Sequence, residues 1–245
     1  MEDNRKSIKV TKVEDEASST ASTSGFVASV ESLAEARKFR IIATIAFIAA
    51  IGFEIGGILL LQKPPVSTTW LIVLIVADLI FAVIGSLLWQ KANRLDPASE
   101  KDKVKFFIQN QLGLIIAILA FLPLVILIFT NKNLSGKQKG IVGSVAVIAL
   151  LIASAVGVDL NPPSQEQYAE QTKEVEALMG GVNHVYWTGS GKSYHLYQDC
   201  SYINSARTNE IFEGTVAKAR ELKNISDLCD RCENRRIKEK GVEGE

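Results

Sequence analysis

Reactive and cross-linking residues are scarce: 245 residues carry three cysteines and two histidines. Three cysteines cannot all pair within one chain, so a disulfide framework is excluded as the scaffold. Neither sign of charge predominates, with 27 basic and 27 acidic side chains. That removes the basic excess a nucleic-acid binder normally carries. From residue 161 onward there are 11 basic and 14 acidic residues, net −3, so no nucleic-acid partner is expected for that part either. No phosphate-cradling glycine loop, dinucleotide fingerprint or nucleophile–base motif is present, and the expectation is a protein that is not an enzyme.

Charge is also nearly missing from the middle of the chain, where four long apolar runs cover residues 40–61, 69–90, 106–130 and 140–158. Each is long enough for the ~20 helical residues that cross a hydrocarbon core. The breaks are polar or proline-bearing: Lys63-Pro64-Pro65, then residues 94–105, then residues 131–139. The first run begins too late and is too long for a cleavable signal peptide. Trp70 and Trp89 bracket the second run, 19 residues apart. At the helical rise that is roughly 28 Å, the spacing of two headgroup belts. The lipid bilayer is therefore the first partner implied. This half of the chain is expected to be an α-helical membrane domain of four transmembrane helices.

Orientation follows from lysine and arginine. Arg37, Lys38 and Arg40 precede the first span, and the second loop carries Lys91, Arg94, Lys101, Lys103 and Lys105. The first loop has Lys63 and the third has Lys132, Lys137 and Lys139. Eight against four places both termini in the cytoplasm by the positive-inside rule. Residues 1–36, with their Ser/Thr/Ala/Gly stretch at 18–25, are expected to be a disordered tail, since they cannot bury enough apolar surface to offset chain entropy. Val27, Val30, Leu33 and Ala34 suggest a short interfacial helix at its end.

Two acids lie inside the transmembrane region of residues 37–160: Glu54 and Asp78. They fall at matched depths in an antiparallel hairpin, with no lysine or arginine inside any span past Arg40, at the edge of the first, to neutralise them. An ionised acid in lipid is expensive, so each should be protonated, hydrogen-bonded or turned to a wet interior. Two readings stand: a proton- or cation-handling pair, and a protonated, hydrogen-bonded pair joining two helices. Gly52 and Gly56 around Glu54 form a small-xxx-small pattern that suits close helix packing. Gln109, Asn110 and Gln111 open the third span as interfacial or interior polar groups.

After Asn161-Pro162-Pro163, residues 161–182 read as a juxtamembrane helix and linker. Ser164 to Gln167 has the capping-box form S-x-x-Q, and Gly180-Gly181 end the helix. Residues 183–245 hold all three cysteines. His195 and Cys200, then Cys229 and Cys232, give H-x4-C, 28 residues, and C-x2-C. Two ligands on each of two knuckles reach tetrahedral geometry without strain, and Cys3His fills all four positions of a structural zinc site. Structural Zn2+ is the expected cofactor, and the expected fold class is an α-helical membrane protein of four transmembrane helices with a small C-terminal α+β zinc-stapled domain. A redox pair of Cys229 and Cys232 is the rival, and His184 is expected at the surface. Residues 185–188 and 193–197 read as a hairpin, Ile211-Phe212 as a further strand, and residues 215–223 as a helix capped by Thr215.

The run Val185-Tyr186-Trp187-Thr188-Gly189-Ser190-Gly191-Lys192-Ser193-Tyr194-His195, with Cys200-Ser201-Tyr202, Gly214-Thr215 and the closing C-x2-C, resembles the small Cys/His accessory domain appended to various bacterial proteins, some secreted thermonuclease-like enzymes among them. The resemblance covers residues 185–232 and implies an accessory, zinc-binding and non-catalytic module. The membrane half is similar to that of bacterial multi-pass membrane proteins without an assigned activity. The functional expectation is a membrane protein displaying a structural-zinc domain to a protein partner or to further copies of itself. The alternatives are a small ion-coupled transporter using Glu54 and Asp78, and a metal or redox sensor using the Cys/His set.

Overall fold

The computed structural model describes residues 8–13 and 26–243. The chain divides into two compact units, one of residues 33–163 and one combining residues 1–32 with 164–245.

The first unit is built from four long helices: α1 (Val30–Leu61), α2 (Thr68–Leu95), α3 (Lys103–Thr130) and α4 (Gly136–Gly157). All four are long and apolar enough to cross a membrane. Their core mixes small residues with larger ones such as Leu71, Ile75 and Phe121, and large apolar residues also cover the outside. Ala43, Ala50, Ala117, Ala120, Ala146 and Ala153 are buried, whereas Ile45, Ile48, Leu119 and Leu151 face outward more than half exposed. Small residues inside let helix backbones approach, and large apolar residues outside suit a lipid solvent. The interfacial segment expected near residues 27–34 is not separate, because α1 runs unbroken from Val30.

Side-chain caps set the helix starts. Asp102 accepts from the Lys105 N–H, and Ser135 forms a full capping box with Gln138. The box expected at Ser164 is only half made. Ser164 accepts from the Gln167 N–H at 3.1 Å, but the Gln167 side chain instead accepts from Arg220 at 2.7 Å. The glutamines of the spans hydrogen-bond the backbone just beyond helix ends. Gln109 donates to Asp96 O beyond α2, and Gln111 both donates to and accepts from the Asp159 backbone beyond α4.

The second unit carries β1 (Lys9–Lys12), α5 (Gln165–Leu178), β2 (Val185–Thr188), β3 (Ser193–Tyr194), β4 (Glu210–Gly214), α6 (Val216–Lys223), β5 (Asp227–Leu228) and α7 (Asp230–Glu243). One sheet has the order β1-β4-β2 and the other pairs β3 with β5. The expected hairpin narrows to one antiparallel bridge, Tyr186 with His195, while the other edges of its strands pair with β4 and β5.

The expectation of a disordered tail needs correction over the described residues. Lys9–Lys12 adds a parallel edge strand to β4, with Lys9 opposite Glu210 and Thr11 opposite Phe212. Phe26 packs edge-on against Tyr168 at 4.7 Å, and Ser32 donates to Glu221 at 3.0 Å. Composition hid this, since a short polar strand needs no core of its own when a preformed edge supplies its hydrogen bonds. The Ser/Thr-rich stretch at residues 18–25 lies outside the described residues.

Candidate metal centre

Each of the four Cys/His donors is placed by a different piece of backbone. His195 follows β3, and its N–H and C=O both pair with Tyr186 at 2.7 and 2.8 Å. Cys200 closes the next turn, its carbonyl accepting from Ile203 and Asn204 at 3.0 and 2.8 Å. Cys229 follows β5 and donates its N–H to Tyr194 O at 2.9 Å. Cys232 lies in the first turn of α7. The two-sheet arrangement is thus what brings the knuckles together: β3 and β5 pair side by side, and each runs directly into a ligand-bearing segment.

The four donor atoms lie within 4.8 Å of one another, and all four residues are buried. Cys232 Sγ is 3.6 Å from His195 Nδ1. With Zn–S of about 2.3 Å and Zn–N of about 2.0–2.1 Å, a tetrahedral centre sets S···N at roughly 3.6 Å and S···S at roughly 3.8 Å. The Cys232–His195 pair already stands at that spacing, and the buried donor set could hold a metal such as zinc.

The electrostatics leave the imidazole ready to ligate and the thiol still to be deprotonated. Burial holds His195 down at about 4, so its imidazole is neutral at physiological pH and its lone pair is available. Burial pushes the Cys232 thiol up to about 12, reinforced by its hydrogen bond with Cys200. A bound metal must displace that proton, which couples binding to proton release. The N-terminal end of α7 favours the resulting thiolate.

A second layer clasps the knuckles. Tyr197 donates its hydroxyl to Glu239, and Arg235 stacks over the Tyr197 ring at 4.0 Å while pairing with Asp199 at 2.9 Å. These contacts tie α7 to the turn that carries Cys200. Sequence reasoning missed them, although Arg235 and Glu239 stand at i,i+4 on a helix. A cavity of about 200 Å³ is lined by Cys200, Cys232, Arg231 and Arg235, while the cysteines themselves remain buried. His184 lies outside the cluster, its Nε2 3.6 Å from Glu213.

In the helical unit, Glu54 lies on α1 and Asp78 on α2. Glu54 is 6% exposed and Asp78 fully buried. Glu54 Oε1 and both Asp78 carboxyl oxygens have no hydrogen-bond partner among the described residues. The joining hydrogen bond of the second sequence reading is thus not made by those atoms. Asn110 is buried with both amide atoms unpartnered.

Fold and site together define four membrane-length apolar helices followed by a small α+β region built around a buried Cys3His cluster. No family profile, curated protein sequence or solved structure matches this chain.

Proposed function

We propose that this is a non-enzymatic integral membrane protein of bacterial type that displays a structural-zinc domain for protein interaction or assembly. The observation that carries the reading is the closed donor set. Three thiolates and one imidazole, all buried, fill a tetrahedron and leave no position for a reactive water. The likeness of residues 185–232 to an accessory module supports display over catalysis. Affinity capture of the intact protein in mild detergent, with metal analysis of the same sample, tests both halves. Stoichiometric zinc with a reproducible partner or self-association supports the reading; a metal that exchanges freely with a chelator would favour a sensor.

Both termini belong in the cytoplasm on this reading. Pairing of β1 with β4 supports one shared side for the two ends, and the charge count supplies which side. Gln62 and Glu100 are exposed, and the native cysteines are buried. In intact cells an impermeant maleimide is expected to label Gln62→Cys, and Glu100→Cys only after permeabilisation. The reverse pattern would move the zinc domain outside.

A second reading, an ion-coupled carrier, is favoured by the unpartnered carboxyl oxygens of Asp78 and Glu54. Such groups need a proton or a cation in place of a hydrogen-bond partner. Glu54→Gln and Asp78→Asn are expected to be non-additive in thermal stability in detergent, because neighbouring acids share an interaction energy. If the variants stay folded while ion flux in proteoliposomes disappears, the carrier reading holds. Additive effects with unchanged flux leave a structural pair.

A further inference from the structure

A cavity of about 440 Å³ lies between α1 and α2 at the end of the helices that carries Arg37, Arg40 and Asp96. We infer that it is a binding site for the headgroup phosphate of an anionic phospholipid, with one acyl chain lying along α1. The inference rests on the membrane placement of the four helices. The volume is in the range of ligand sites, which runs from about 300 to 1,000 Å³.

Polarity along the cavity is graded the way a lipid is. Arg37, Arg40, Ile41, Thr44 and Ile45 line it, and their i, i+3, i+4 and i+7 spacing sets them on one stripe of α1. The arginines sit toward the helix end and the isoleucines toward the bilayer centre. Arg37 to Ile45 spans about 12 Å at helical rise, so a phosphate at the top leaves the chain beside Ile41 and Ile45. Those isoleucines are 55% and 63% exposed, apolar surface that an acyl chain covers.

Trp89 marks the level of the headgroups. Its indole N–H is held by Gln109 O at 2.7 Å, and the Arg40 guanidinium lies 6.0 Å from its ring. Charge complementarity selects an anionic ligand. Arg40 pairs with Asp96 at 2.6 Å, so its charge is matched, but its buried Nε has no partner. Arg37 is exposed and adds a cation to that neutralised pair. The cavity therefore keeps one net positive charge beside a preoriented guanidinium, and basic pockets between membrane helices at this face suit acidic headgroups.

The test uses the full chain in nanodiscs of phosphatidylcholine alone or mixed with phosphatidylglycerol, released into native mass spectrometry. Wild type is expected to retain phosphatidylglycerol over phosphatidylcholine, less so as ionic strength rises. Arg37→Gln should weaken retention about fivefold, the effect of one surface cation. Lys137→Gln, at the opposite helix ends, should change nothing. Because Arg40→Gln alone strands Asp96, the paired Arg40→Gln/Asp96→Asn variant is used, with its thermal stability checked, and it should lose the preference. Equal retention of the two lipids, an unchanged Arg37→Gln, or displacement of the lipid by inorganic phosphate at equal concentration would overturn the assignment, the last by making it a free-anion site.

Discussion

Cys229→Ser or Cys232→Ser in the full-length protein is expected to unfold the C-terminal unit while the four helices stay in the membrane. Structural zinc contributes ~10–16 kcal/mol in small zinc domains, comparable to or above the ~5–15 kcal/mol that holds a whole domain. The unit has little in reserve, since its strands are two to five residues long. Its core centres on Trp187, Tyr194, Ile203 and Ile211, with the ligand cysteines among them. Limited proteolysis and zinc stoichiometry check the outcome, and a strong chelator should reproduce it on the wild type. His184→Ala is expected to leave zinc and folding intact. Arg235→Ala loses exposed ion pairs and its stack on Tyr197 and should lower stability only slightly, with zinc retained. A unit that stays protease-resistant in strong chelator, or a Cys229–Cys232 disulfide without metal, defeats the structural-zinc reading.

Acid should act like the chelator. Burial holds the folded-state His195 at about 4 against an ordinary 6.5. A folded value below the unfolded one means its stabilising contribution is present above pH ~6.5 and is lost as pH falls toward ~4. Proton competition for the thiolates acts in the same direction when metal is bound. Stability and zinc occupancy should therefore fall together between those limits, read by protease resistance and metal content across a pH series.

The membrane helices and the ligand set were legible because their signals are local or strongly constrained. Twenty uncharged apolar residues have few other uses, and H-x4-C with C-x2-C can converge only if the segments between them fold back. The N-terminal strand was not legible, since Lys9–Lys12 acquires its structure from an edge some two hundred residues away. Gln167 illustrates the same limit. Its spacing from Ser164 suits a capping box, yet buried Arg220 needs its oxygen more, with Gln171 and the Tyr168 ring completing that cation's surroundings. Local rules yield where a buried charge must be satisfied.

Glycine packing shows a third kind of failure and leads to a large expected effect. The small-xxx-small pattern pointed to Gly52 and Gly56, but a Cβ on Gly52 would meet nothing within 4 Å and one on Gly56 only ordinary contact with Leu74 at 3.8 Å. The close crossing is between α3 and α4, at Gly113 and Gly157, which no single-segment motif links. A Cβ on Gly157 would stand 2.6 Å from Gly113 C and 2.7 Å from its O, and one on Gly113 would stand 2.9 Å from Gly157 O. These are backbone atoms, so relief requires the helices to separate, pulling Gln111 from the Asp159 backbone it clips. Overpacking usually costs about 1–3 kcal/mol, occasionally more, and a backbone clash belongs at the upper end. Gly157→Ala and Gly113→Ala are expected to give the largest losses of thermal stability in detergent among the glycines of the spans. Gly143→Ala should cost less, because its obstacle is the tip of the Phe129 ring, which can turn. Gly52→Ala should be neutral or stabilising by up to ~1 kcal/mol through helix propensity. If Gly52→Ala destabilises as much as Gly157→Ala, the α3–α4 crossing is not where the bundle is tightest.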